Sequence, residues 1–216
     1  MNETYKVQVQ GLVDDLKAVF THAGLGGEAG EYKLLTQSFL YKFLNDKFLY
    51  QAKILDESNT YENLLAMSEE DYDWLLEDIG TSTAWLKPDQ LIESLHRQQN
   101  EPTFYETFEN TLNQIAIDNN DIFSVHTDGD TAIRLFDERL ITDTISDSSK
   151  RNEVAKAIIN LLARVKFDET IFSQGFDFFS TLFEYMIKDY NKDGGGKYAE
   201  YYTPHSVAKI IADILV

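Results

Sequence analysis

Few residues of this chain have both the type and the spacing for chemistry. The four histidines, at positions 22, 96, 126 and 205, are scattered, and no two share the separation of a metal-ligand pair. Cysteine is absent, so disulfides and thiolate metal sites are excluded. There is no Gly-x-Gly-x-x-Gly loop, phosphate-binding loop, His-Glu-x-x-His helix or Gly-x-Ser-x-Gly elbow. Carboxylates are so numerous that no two stand out as an acid and base pair. Asp128-Gly129-Asp130 has the opening of a calcium loop, but the other oxygen ligands and the closing Glu are missing, and it reads as a turn. No catalytic residue and no metal ligand is assigned.

One stretch does combine residue types to a purpose. Gly194, Gly195 and Gly196 release the backbone. Thr203 then falls at an N-cap position, where its hydroxyl can accept from the backbone N–H of Ser206. Pro204 follows at the first helical position, where its missing N–H costs nothing. Val207, Ile210, Ile211, Ile214 and Leu215 recur at helical spacing and define one apolar face. Such a helix start can present N–H donors and a hydroxyl to a polar ligand. No Gly, Asn or basic turn closes the helix before Val216, so the chain reads as a fragment cut where a further domain begins.

The rest of the chain must position that stretch. Hydrophobic residues make up 43% of the 216 and aromatic residues 13%, enough for a real core. No signal peptide and no apolar run of membrane-spanning length is visible, and the lack of cysteine fits a reducing cytoplasm. The net charge is -18, which sets most of the surface against free DNA. Between Lys53 and Lys87 lie nine acids and no Lys or Arg. They read either as a solvated acidic face or as a docking surface for a basic partner.

Periodicity predicts a helix over 5–21 and a central one over 31–49, with Tyr32, Leu35, Phe39, Leu40, Phe43 and Leu44 inward and Thr36, Gln37 and Lys42 off the stripe. The glycines between them mark a loop. A short helix is expected around Tyr61–Ala66, and a capped one opens at Ser68 and stops at Gly80. Thr81–Leu86 reads as extended or irregular, with a short strand possible. Pro88 and Pro102 each open a further helix. Residues 119–147 are the least regular, and a strand or apolar plug is expected at Ile122–His126. Helices over 149–165 and Gly175–Tyr190 complete a set of seven to nine. His22 and His96 read as helix-end and boundary residues rather than ligands.

The segment Glu200, Tyr201, Tyr202, Thr203 and Pro204, behind its glycines and ahead of its aliphatic helix, is similar to the stretch leading into the methyltransferase domain of type I restriction-modification M subunits. Phe183-Glu184-Tyr185-Met186-Ile187 resembles the aromatic-Glu-Tyr-Leu-Ile pattern that this family carries just upstream. Glu31-Tyr32-Lys33 with Leu34, Leu35 and Phe39–Phe43 resembles the opening helices of its N-terminal domain. The three anchors stand in the family's order across nearly the whole chain. The glycine-rich cofactor loop and the Asn/Asp-Pro-Pro-aromatic motif that the family carries further on do not occur here.

The resemblance implies a mainly α, multi-helix N-terminal domain with short loops over 1–192. A Gly-rich linker and the first helix of an otherwise absent α/β methyltransferase domain would follow over 193–216. The intact protein would move a methyl group from S-adenosylmethionine to adenine N6 in DNA, and the base would leave the stack to be reached. Tyr202, Thr203 and Pro204 would form one wall of the cofactor pocket. The 216 residues alone would hold no cofactor and be inactive. The implied partners are a specificity subunit, a restriction subunit, a second M subunit and DNA, in the cytoplasm and away from membranes. The helical part would serve assembly and closure around DNA. The rival is a non-enzymatic acidic interaction protein, either a DNA mimic or a docking module. A third reading is a fused enzyme carrying helical and methyltransferase parts in one chain.

Overall fold

The structure, a computed structural model, describes residues 3–81, 83–123, 125–126, 132–167 and 171–172, together with 207, 210, 211 and 214. Among the described residues the fold is mainly helical, as the periodicity predicts. The α-helices are α1 Glu3–Ala23, α2 Ala29–Leu55, α3 Tyr61–Ala66, α4 Glu69–Ile79, α5 Ile92–Gln98, α6 Phe104–Asp118, α7 Asn120–Phe123, α8 Leu140–Thr144 and α9 Arg151–Arg164. Two 3₁₀ turns, Pro88–Gln90 and Ser148–Lys150, precede α5 and α9. A two-residue antiparallel pair joins Val125 to Ile133 and His126 to Ala132. The strand expected at Ile122–His126 is thus split into a helical turn and half of this pair. The helix expected at Gly175–Tyr190, the glycine hinge and the domain boundary at 192 lie outside the described residues.

Two helices organise the rest. α9 packs against α1, α5 and α6, and α2 packs against α1, α4 and α8. α2 is buried around most of its circumference: Leu34, Leu35, Phe39, Tyr41, Leu44 and Phe48 are inside, and so are Lys42, Asn45 and Asp46. The expected stripe is therefore turned. Tyr32 is exposed and Lys42 is interior. A helix walled in on several sides has no single apolar face, so periodicity locates it and misjudges its orientation. Ala29 and Gly30 also belong to α2 rather than to the loop. A Cβ on Gly30 would meet Thr144 Cγ2 at 2.7 Å, so glycine permits α2 to cross α8.

The caps follow the sequence where it supplies them. Thr60 and Ser68 accept from the N–H groups of Asn63 and Asp71 and open α3 and α4. Gly80, at φ 64°, closes α4 by donating its N–H to Leu76 O and Glu77 O. Elsewhere other helices do the capping. Glu109 of α6 accepts from both Thr142 N (2.6 Å) and Thr142 Oγ1 (2.8 Å), and Arg151 donates to Ile145 O (3.0 Å) and Thr142 O (3.2 Å). Both ends of the short α8 are thereby satisfied from outside itself. Periodicity did not mark α8, because five residues are too few to show a period.

Between α4 and α5 the chain crosses the interior without regular structure, and Pro88 opens only the 3₁₀ turn rather than the helix. Ala84, Leu86 and Leu91 are fully buried there. Asn119 accepts from Trp85 N (2.7 Å) and donates to Trp85 O (2.8 Å), as a neighbouring strand would. Tyr72 donates to Leu86 O, Tyr41 to Gln90 O and Ser94 to Pro88 O, while Asn45 accepts from Ile92 N. Burial drives the Tyr41 and Tyr72 hydroxyls well above the ordinary phenol range, with the nearby Asp89 charge adding to the effect.

Asn119→Ala should orphan Trp85 N and O together. At about 1–3 kcal/mol for each buried unsatisfied group, a loss of roughly 2–5 kcal/mol is expected in urea denaturation. Burial alone would raise the Asp118 carboxyl, but hydrogen bonds from Gln114, Gln90 and Lys87 outweigh it and hold the group below 3.8. A depressed carboxyl stabilises fully above its unfolded value, and the contribution is lost as pH falls through the folded value. Urea midpoints between pH 6 and pH 2 should therefore fall less steeply for Asp118→Asn than for the parent.

Candidate functional site

The sequence directs attention to Tyr202, Thr203 and Pro204, and all three lie outside the described residues. Of the helix expected after them, Val207, Ile210, Ile211 and Ile214 are described. All four are helical and all four are exposed. Their i, i+3, i+4, i+7 spacing puts them on one face. Apolar face and helix thus agree with the pattern, and the stripe is open to solvent.

Upstream, α2 holds the chain where it heads towards that helix. Asp46 is the pivot. Its Oδ2 accepts from Phe167 N at 2.8 Å and pairs with Lys42 Nζ at 2.9 Å. Its Oδ1 accepts from Asn45 Nδ2 at 2.8 Å and from Lys42 Nζ at 3.0 Å. Lys42 and Asp46 are both buried, and Lys42 Nζ also lies 5.5 Å from the centre of the Phe167 ring. Burial lowers the Lys42 pKa, and the attraction of Asp46 only partly restores it. Such a pair contributes little net stability, but it tolerates one arrangement of its partners. Further on, Ile171 is buried and Phe172 packs against two aromatics of α2: Phe43 at 5.7 Å and, stacked, Tyr50 at 5.3 Å. Residues 42–50 of α2 therefore form a seat for Phe167 and Phe172.

The described residues offer little to a catalyst. A cavity of about 270 Å³ lies between α1 and α9, lined by Ala18, Val19, His22, Ala23, Lys150, Glu153, Val154 and Ala157. It falls below the roughly 300–1,000 Å³ of small-molecule sites, and its walls are chiefly Ala and Val. It does not fit a nucleoside cofactor. His22 stands in the last turn of α1, exposed, and His96 shares a 3.1 Å hydrogen bond with Asn160 at the boundary of the core. Both are the structural histidines that their spacing predicts. Among the described residues there is no group of three His, Cys, Asp or Glu able to hold a metal. Nor is any described helix long and apolar enough to cross a membrane.

The chain beyond Phe172 carries a sequence match. Residues 174–216 match the N-6 DNA methylase family. The match begins two residues after Phe172 and takes in Gly175–Tyr190, the three glycines, Tyr202-Thr203-Pro204 and the exposed stripe. It covers about one fifth of the chain and supports a relation to N6-adenine DNA methyltransferases. No similar curated protein and no similar solved structure is found. The seat on α2 was not legible beforehand: Lys42 looked like a solvent residue, and its only signal was Asp46 one helical turn on.

Lys42→Met would leave the Asp46 carboxylate buried without its cation. A loss of about 3–5 kcal/mol is expected in urea denaturation, as for other broken buried pairs. Phe172→Ala should cost less overall, and it should expose the 167–172 segment to limited proteolysis before the helical core is cut.

Proposed function

We propose that this chain is the N-terminal helical part of the M subunit of a type I restriction-modification system, joined to the start of its methyltransferase domain. The observation that carries the reading is order along the chain: a helical body, a seat for Phe167 and Phe172 on α2, and, from residue 174, the stretch similar to N-6 DNA methylases. The intact protein methylates adenine N6 in DNA. S-adenosylmethionine supplies the electrophilic methyl group when bound, and Tyr202, Thr203 and Pro204 form one wall of its pocket. The helical body serves assembly with the specificity and restriction subunits and a second M subunit, and it leaves sequence recognition to the specificity subunit. The rival reading as a DNA mimic gains nothing from the comparisons.

The wall and a plain helix start are separated by substitution in the full-length subunit. As a cap alone, Thr203→Ala costs on the order of 1 kcal/mol of stability and leaves cofactor affinity intact. As a wall, Thr203→Ala and Tyr202→Ala each weaken S-adenosylmethionine binding while thermal melts stay near the parent. Thr203→Ser keeps the oxygen and should retain most binding. Calorimetry that finds both alanine variants binding like the parent removes the cofactor role from this segment. The 216-residue chain alone, which lacks the catalytic Pro-Pro motif, should transfer no label from S-adenosylmethionine to mixed genomic DNA.

A further inference from the structure

The outer face of α4 is an aromatic ringed by carboxylates. The helix is fixed on its inner side by buried Tyr72, Leu75 and Ile79, and by the bond from Tyr72 to Leu86 O. Trp74 therefore faces outward and is 61% exposed. Its four helical neighbours, at i−4, i−3, i+3 and i+4, are Glu70, Asp71, Glu77 and Asp78, all acidic and all exposed. None of these carboxylates is in an ion pair among the described residues. Ile54, Leu55 and Leu65 are further exposed apolar side chains in the same cation-free stretch of sequence.

The protein shows elsewhere what such a set accommodates. The Arg97 guanidinium lies over the Tyr61 ring, 4.7 Å from its centre, and reaches Glu93 at 3.6 Å and Glu62 at 3.7 Å. One aromatic face and two carboxylates hold one arginine. Around Trp74 the same parts recur with a better π-donor and twice the carboxylates, and no described residue supplies a cation.

We propose that the outer face of α4 is a docking surface for an arginine-bearing basic segment of a partner protein, with a guanidinium over Trp74 and flanking cations on the two acidic pairs. Charge complementarity selects that occupant. Nucleic acid and anionic lipid are repelled by the same carboxylates, and a second acidic copy of this face is repelled too. From Glu70 to Asp78 the helix advances about 12 Å. An extended segment covers that length with three alternate side chains, at about 3.3 Å per residue. The surface is independent of the methyltransferase reading, and its test uses neither cofactor nor DNA.

The probe is a fluorescein-labelled nonapeptide of alternating arginine and serine, titrated by anisotropy into the full chain. A control peptide carries citrulline in place of arginine, the same shape without the charge. The arginine peptide should bind, the citrulline peptide should not, and the affinity should fall as salt rises. Trp74→Ala should weaken binding roughly threefold to fivefold, the scale of an exposed cation–π contact, while Trp74→Phe retains part of it. The triple change Glu70→Gln, Glu77→Gln and Asp78→Asn should weaken binding further and flatten its salt dependence. Three exposed acids elsewhere, changed as Asp15→Asn, Glu106→Gln and Asp121→Asn, should have little effect. Urea midpoints confirm that each variant is folded. Binding that ignores Trp74, or that falls equally in the control triple, overturns the proposal in favour of diffuse charge. So does a change in sedimentation with Trp74→Ala at unaltered peptide affinity, which would make the face a contact between copies.

Discussion

The fold depends on satisfying a stretch of largely buried backbone that belongs to no α-helix. From Ala84 to Leu91 the chain runs through the core with only Lys87 and Asp89 turned to solvent, and each unpaired N–H or C=O inside would cost about 1–3 kcal/mol. Asn119, Tyr72, Tyr41, Asn45 and Ser94 supply the partners, and they come from α6, α4, α2 and α5. Four helices are thereby keyed to one strand-like segment. Apolar packing alone would let helices slide by a turn, because Leu and Phe contacts are forgiving. Hydrogen bonds to a fixed backbone are not, and they select one register from the many that the apolar surfaces allow.

The same logic governs α2. Its interior face carries Lys42, Asn45 and Asp46, bonded to one another, and one oxygen of each of the last two reaches another part of the chain: Asn45 accepts from Ile92 N and Asp46 from Phe167 N. One turn of α2 thus fixes both the end of the irregular segment, at Ile92, and the chain beyond α9, at Phe167.

Much of this was legible in the sequence. Caps at Ser68 and Gly80 announce themselves because capping is local chemistry, read within four residues. Long helices show by period, and α1, α6 and α9 lie close to where the apolar residues put them. What stayed hidden is tertiary. Lys42 is interior only because Asp46, Asn45 and Phe167 converge on it, and no window of the sequence contains all four. Trp74 is outside because Tyr72, bonded to Leu86 O, claims the inner face together with Leu75 and Ile79. α8 exists because Glu109 and Arg151 close its ends. For the candidate site the case is reversed. The signal in Tyr202-Thr203-Pro204 is one of sequence alone and falls within the 174–216 match to the methylase family, and Val207, Ile210, Ile211 and Ile214 beyond it are helical, as their spacing predicts.

Charge then constrains how such a protein could meet a duplex. An excess of 18 negative charges on 216 residues is not spread evenly: one cation-free stretch holds nine acids, and α4 alone turns Glu70, Asp71, Glu77 and Asp78 to solvent around Trp74. Phosphates approaching that side would meet repulsion within a Debye length of about 8–10 Å. The outer face of α4, where those carboxylates surround an exposed Trp74, is therefore closed to a duplex and open to basic proteins: the field that rejects phosphates is the one that draws cations.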